Sequence, residues 1–140
     1  MPRSTVQEPS FILGREEWVD LPDLGLTGVL AKIDTGAASS TLDARDIVVE
    51  DVDGRRRVAF TLPGPAGNAT ARRCTLPLVA RRWVTSSNGQ RALRCLISTT
   101  IAVGGRQWPI ELTLADRGAM RYRMLLGQRA IQDDMIVVPG

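Results

Sequence analysis

The residues best equipped for chemistry in this chain are Asp34, Thr35 and Gly36. They follow an apolar run, residues 29–33, that reads as a buried strand, and they lead into Ala37, Ala38, Ser39 and Ser40. A strand that delivers a carboxylate into a turn of small and hydroxyl residues suits an acid held for proton transfer. If Asp34 is buried, its ionised form needs donors, and the Thr35 and Ser39 hydroxyls with the Gly36 and Ala37 backbone N–H groups are placed to supply them. Gly36 removes a side chain where a second backbone or a substrate must come close. The same residues also read as a strand end closed by an Asx-turn, with Asp34 as turn former.

The rest of the composition narrows the chemistry. The chain has no histidine, which removes Ser-His and Cys-His nucleophile pairs, a His-Glu-x-x-His zinc helix and any imidazole base. Zinc would have to bind Cys74, Cys95 and carboxylates, an uncommon set, so no metal and no cofactor is expected. No Gly-x-x-x-x-Gly-Lys-Ser/Thr loop is present to cradle ATP phosphates. The net charge of +3 is carried by arginines, Lys32 being the sole lysine. Arginine favours forked pairing with carboxylates or phosphates. Six aromatics and so modest a charge do not suit nucleic acid, whereas an acidic peptide remains compatible. No run approaches the length of a membrane span, and residues 1–10 have no apolar core of a secretion signal, so the expected location is cytoplasmic and no membrane partner is expected. The two cysteines read as reduced thiols packed as small apolar residues, with a single inter-strand bridge as the alternative.

The elements that must position Asp34 read as all-β. A chain of 140 residues, 44% hydrophobic and poor in aromatics, builds one core of Val, Ile, Leu and Ala. Residues 1–10 read as a flexible arm and residues 11–140 as one domain. Short strands are expected at residues 11–14 and 18–21 around a charged bend at Arg15, Glu16 and Glu17, and a turn at residues 21–26. Asp53-Gly54 marks a hairpin between residues 47–49 and 58–62, residues 63–68 read as loop, and Pro77 argues for an edge strand. Residues 82–85 and 92–96 flank the Asn88-Gly89 turn signal, and Gly104-Gly105 joins residues 97–103 to 106–114. Residues 124–126 form a short buried strand closed by Gly127, residues 129–134 a helical turn or two, and residues 135–138 a terminal strand.

In this order the pieces resemble the retropepsins, the one-domain aspartic proteases. Those chains run from a strand into Asp-Thr-Gly-Ala, through a flap hairpin and a further hairpin, to two apolar residues and a glycine before a short helix and a last strand. Here the corresponding residues are 34–37, the Asn88-Gly89 hairpin, the Gly104-Gly105 hairpin and Leu125-Leu126-Gly127. A closer resemblance is to the RimB-type bacterial branch, a family also labelled ATP-dependent zinc protease. It is carried by Ile-Leu-Gly-Arg at residues 12–15, Trp18-Val19, residues 32–37, Gly-Gly-Arg-x-Trp-Pro-Ile-Glu at residues 104–111, and Arg-x-Arg-Met-Leu-Leu-Gly at residues 121–127. This chain departs from the pattern in lacking histidines near Asp43 and Gln90. It also has Gln128 in place of the arginine that in viral relatives pairs with an acid after the catalytic turn, where this chain has Ala38 and Ser39.

The resemblance implies a closed retropepsin-like barrel with one short helix near the C-terminus, and an aspartic peptidase that works as a homodimer. One Asp-Thr-Gly is half a site, because the chemistry needs two carboxylates sharing one proton. Asp34, Thr35 and Gly36 would then be catalytic. Thr35 would hydrogen-bond across the two-fold axis, residues 135–138 would join the interface, and Ala37 with the flap tip Asn88-Gly89 would contact substrate. By strand alternation Lys32 shares a face with Asp34. A cation there suits an acidic, glutamate-rich peptide or protein tail, with Arg121 and Arg123 adding carboxylate forks, or else it pairs with a neighbouring acid. A RimK-type ATP-grasp ligase is the partner that the resemblance implies. The alternative is a non-catalytic module of the same fold that binds an acidic peptide or such a ligase without cutting.

Overall fold

The computed structural model describes residues 11–64, 67–85, 88–116 and 121–138, except the side chains of residues 67–70. The expected N-terminal arm lies outside the described residues. The described strands are β1 (Phe11–Leu13), β2 (Glu16–Leu21), β3 (Leu26–Ile33), β4 (Thr41–Asp43), β5 (Arg45–Val52), β6 (Arg55–Gly64), β7 (Gly67–Pro77), β8 (Ala80–Thr85), β9 (Arg91–Val103), β10 (Arg106–Ala115), β11 (Met124–Leu126) and β12 (Met135–Val137). The only described helices are two 3-10 turns, Pro22–Leu24 and Gln128–Ala130. The short helix expected after Gly127 is thus three residues long. It ends at Ile131, which is already extended.

Six strands close into a barrel in the order β10-β4-β11-β3-β2-β9, the ring completed by the β9–β10 hairpin, and β8 adds to β9 outside the ring. Inward-facing Ala31, Ile33, Leu42, Ile97, Leu112, Met124 and Leu126 fill the core. Alternation fixes this register, since a one-residue slip would turn the whole set outward. The hairpins follow their turn residues: Gly104 and Gly105 have φ of 55° and 85°, and Asp53 and Gly54 have 53° and 77°. Such paired positive φ values match the twist of the flanking strands. Residues 92–96 and 97–103, which read as separate strands, form one 13-residue β9. It pairs with β8 along its first half and β10 along its second.

Strands β5, β6 and β7 form a separate three-stranded sheet whose Val58, Phe60 and Leu62 join the barrel's core. The sheet takes in most of the expected loop at residues 63–68, because β6 runs to Gly64 and β7 restarts at Gly67. Pro77 ends β7, an edge strand, where a missing N–H costs no ladder bond. The expected charged bend is shorter than it reads, as Glu16 and Glu17 already belong to β2. Cys74 and Cys95 are unpaired, and burial pushes both thiols up.

Strands β1 and β12 form a two-stranded parallel sheet, with Ile12 opposite Ile136. Barrel strand β10 anchors it: Arg106 pairs with Asp134 at 2.8 Å and lies over the Phe11 ring, and Trp108 Nε1 donates to Ala130 O at 2.8 Å.

Candidate active site

Asp34 leaves the end of β3 where two loops cross. Strand β11 runs parallel to β3, with Leu126 opposite Ile33, and the Asp34 N–H donates to Leu126 O at 2.9 Å. The turn then closes on itself. Gly36 N–H donates to Asp34 Oδ1 at 3.1 Å and Ala37 N–H to Asp34 O at 3.1 Å. Of the four donors expected for the carboxylate, the Gly36 amide is the one that reaches it. The Ala37 amide goes to the backbone instead, and no hydroxyl is bonded to Asp34 among the described residues. Asp34 is half-buried, and Thr35 and Gly36 are exposed.

The segment after this turn is pinned by the residues that follow β11. Gln128 N–H donates to Ala37 O at 2.7 Å, Arg129 N–H to Ala38 O at 3.2 Å, and Gly127 N–H to Ser40 Oγ at 2.9 Å. From the other side Thr113 donates to Ser40 O through both its N–H at 2.9 Å and its hydroxyl at 3.1 Å. A Cβ at Gly127 would stand 2.3 Å from Ser39 O, so this crossing closes only around glycine. These backbone bonds fix the turn without the side-chain pair for which Gln128 and Ala38 lack the groups. Ser40 was not legible as a site residue, because a hydroxyl in a run of small polar residues carries no mark of a partner 87 positions away.

The outer face beside Asp34 is polar. Lys32 is exposed, opposite Glu16 on β2 and Leu125 on β11 in register, and makes no ion pair among the described residues. Tyr122 donates its hydroxyl to Glu16, which raises the phenol's affinity for its proton. Arg121 is exposed and lies 5.4 Å from the centre of the Tyr122 ring. The half-buried guanidinium of Arg123 donates to Pro63 O, with Nε unbonded, and burial makes it less basic. It thereby ties the residue before β11 to β6 and lies near Asp43, itself bound by Arg45. Asn88 and Gly89 sit exposed at the tip joining β8 to β9, where Asn88 Oδ1 accepts from the Gln90 N–H at 3.2 Å.

A pocket of about 260 Å³ opens beside the pinned segment, between Ser39 and Ser40 on one side and the base of the β8–β9 hairpin on the other. Arg82, Glu111 and Arg129 line it; the sequence marked Glu111 only as the end of a family motif and the two arginines not at all. No group of three or more acidic or thiol side chains able to hold a metal occurs among the described residues.

A barrel closed by β9 and β10 thus holds an Asp-Thr-Gly turn crossed by Leu-Leu-Gly. The family described as retropepsin-like aspartic endopeptidase RimB matches residues 12–140. The chain belongs to this RimB-like family. Its relatives include the probable alpha-L-glutamate ligase of Desulfotalea psychrophila, 37% identical over 130 residues that make up 92% of this chain and 28% of that protein. A probable alpha-L-glutamate ligase of Shewanella pealeana is 38% identical over 136 residues, 96% of this chain and 30% of the relative. That of Parasynechococcus marenigrum is 40% identical over 130 residues, 92% and 28% of the two chains. The chain thus spans less than a third of the length of these curated relatives. Among solved structures, a Legionella pneumophila protein of unknown function superposes with a TM-score of 0.74 at 29% identity, covering 92% of this chain and 93% of that one. The likeness to the RimB-like family therefore extends from the terminal sheet through the crossing at Gly127.

Proposed function

We propose that this chain is one half of a homodimeric aspartic peptidase that hydrolyses peptide bonds in glutamate-rich peptides or protein tails. The observation that carries this reading is Asp34 itself, a half-buried carboxylate held by its backbone at the crossing of two loops, with Thr35 and Gly36 exposed beside it. A second copy of the chain would bring its own Asp34 across a two-fold axis. The ionised carboxylate takes a proton from water as the oxygen attacks the amide carbon. The protonated one donates to the carbonyl oxygen; on collapse of the tetrahedral intermediate the first carboxyl passes its proton to the leaving nitrogen and the second takes one back from the gem-diol, so the amine departs and the dyad is restored.

Two features of the single chain support a partner. Among the described residues a Cβ at Gly36 would meet only Asp34 Oδ1, at 3.4 Å, an ordinary contact that does not require glycine there. The terminal sheet exposes Ile12, Ile136 and Val138 at 61%, 50% and 46%, an apolar stripe on the outer face of β1 and β12. The glutamate preference is supported by Lys32 on the face of Asp34 and by relatives named as glutamate ligases. A peptidase beside a RimK-type ATP-grasp ligase would remove what the ligase adds. Two unpaired cysteines fit a reducing, cytoplasmic compartment.

Replacing Asp34 by Asn tests the reading. Hydrolysis of an oligo-glutamyl peptide should fall on the order of 10³-fold or more while the dimer persists, and retained turnover would overturn the assignment. The matched region is under a third of proteins named as ligases, which favours a second reading: a non-cutting module that holds an acidic tail for such a ligase. That reading requires oligo-glutamyl binding with no cleavage by the unaltered chain.

A further inference from the structure

The pocket beside the pinned segment has a composition that selects one kind of side chain. Its floor is apolar, from the buried side chains of Leu96, Ile110 and Ala130. Its rim carries two guanidinium groups and one carboxylate. Arg82, from β8, reaches Glu111 on β10 at 4.0 Å, a separation at the outer limit of an ion pair, with both side chains partly exposed. Arg129 has no ion pair among the described residues. The rim thus holds one positive charge more than it neutralises.

We propose that this pocket is a side-chain subsite for glutamate in the substrate, with Arg82 and Arg129 as its specificity-determining residues. The inference deepens the proposed function and rests on it for the glutamate-rich substrate. A glutamate side chain matches the pocket in both its parts. Two methylenes cover Leu96 and Ile110, and the terminal carboxylate meets the guanidinium fork that arginine presents. Aspartate, one methylene shorter, would leave the floor uncovered.

One wall is tied to the segment that follows Asp34 and the other to the β8–β9 hairpin. The Arg129 N–H is bonded to Ala38 O, four residues after Asp34, and Ala130 O is held by Trp108. Arg82 lies at the base of the hairpin whose tip is Asn88-Gly89. A side chain seated here is therefore registered against Asp34 from one side and against the flap-like hairpin from the other. Glu111 has a defined part: it stands in for the substrate carboxylate when the pocket is empty and competes with it when a substrate arrives.

The test separates binding from cutting by using the Asp34→Asn protein, titrated calorimetrically with an oligo-glutamyl peptide and with its oligo-glutaminyl counterpart. The glutamyl peptide should bind at least about tenfold tighter. Added R82Q or R129Q should each remove most of that preference, and E111Q should increase it, with thermal melting confirming that each variant folds. Equal binding of the two peptides, or a preference that survives the R82Q/R129Q pair, would overturn the subsite. Cleavage is read independently with Asp34 intact: absence of hydrolysis with the binding preference preserved defeats the peptidase reading and leaves the subsite standing.

Discussion

At the scale of single residues, two glycines of the site have opposite physical reasons. Gly127 is demanded by the fold, because an added Cβ would enter the van der Waals envelope of Ser39 O at 2.3 Å and of Ala37 O at 2.9 Å. Backbone atoms held on both sides cannot give way as a flexible side chain would. Gly127→Ala should therefore cost about 3 kcal/mol or more, read as a lowered denaturant midpoint. Gly36 meets nothing of that kind within the chain. Gly36→Ala should leave the stability of the isolated chain within about 0.5 kcal/mol. If the proposed dimer forms as inferred, the same substitution should weaken association and hydrolysis together, measured by sedimentation and peptide cleavage. The Asp-Thr-Gly-Ala turn was legible from residue types alone because strand, carboxylate and small residues are adjacent in sequence. Ser40, Arg82 and Arg129 were not legible, and Glu111 was legible only as part of a family motif, without its place on the pocket rim. Their roles depend on neighbours supplied by other strands, and isolated arginines read equally well as solvated surface.

At the scale of elements, the most informative strand is β10. The stretch Gly-Gly-Arg-x-Trp-Pro-Ile-Glu, which turns into β10 and forms its first residues, carries several separate tasks. The glycines turn the hairpin, Arg106 holds Asp134, Trp108 holds Ala130, Ile110 floors the pocket and Glu111 lies on its rim. The sequence identified this stretch through its resemblance, and the structure supplies its physical content. Trp108→Phe keeps the buried ring but strips the indole N–H from Ala130 O, leaving a buried carbonyl without that donor. The expected cost is about 1–2 kcal/mol, with faster amide exchange confined first to the turn Gln128–Ala130. Uniform faster exchange across the barrel would show instead that the bond serves global stability alone. The hairpin turns Asp53-Gly54 and Gly104-Gly105 fall where the sequence places them, since positive φ at two successive positions is a local requirement. The helix after Gly127 is three residues long because the backbone is already extended at Ile131, after only two 3-10 bonds, from Ala130 N–H to Gly127 O and from Ile131 N–H to Gln128 O.

At the scale of the whole molecule, one closed barrel presents one Asp34, and its terminal strands form an outlying sheet with an apolar outer stripe. No described helix is long and apolar enough to cross a membrane. The stripe of Ile12, Ile136 and Val138 is the surface on which the proposed two-fold partner would dock. Ile12→Glu combined with Ile136→Glu should leave the circular dichroism spectrum unchanged, because both side chains already face water in the single chain. It should abolish dimerisation in sedimentation and remove hydrolysis with it. A dimer that survives both charges would locate the interface elsewhere.

The sequence by itself determined the strand periods, the tight turns and the lone carboxylate in its glycine-bearing turn, because each is written in residues at most a few positions apart. Only the tertiary structure decided that Gly127 and Ser40 clamp that turn, that Arg123 is drawn under Pro63, and that Arg82, Glu111 and Arg129 share a pocket. Those contacts join residues dozens of positions apart, and their geometry exists only once the barrel has closed and brought both loops to one crossing.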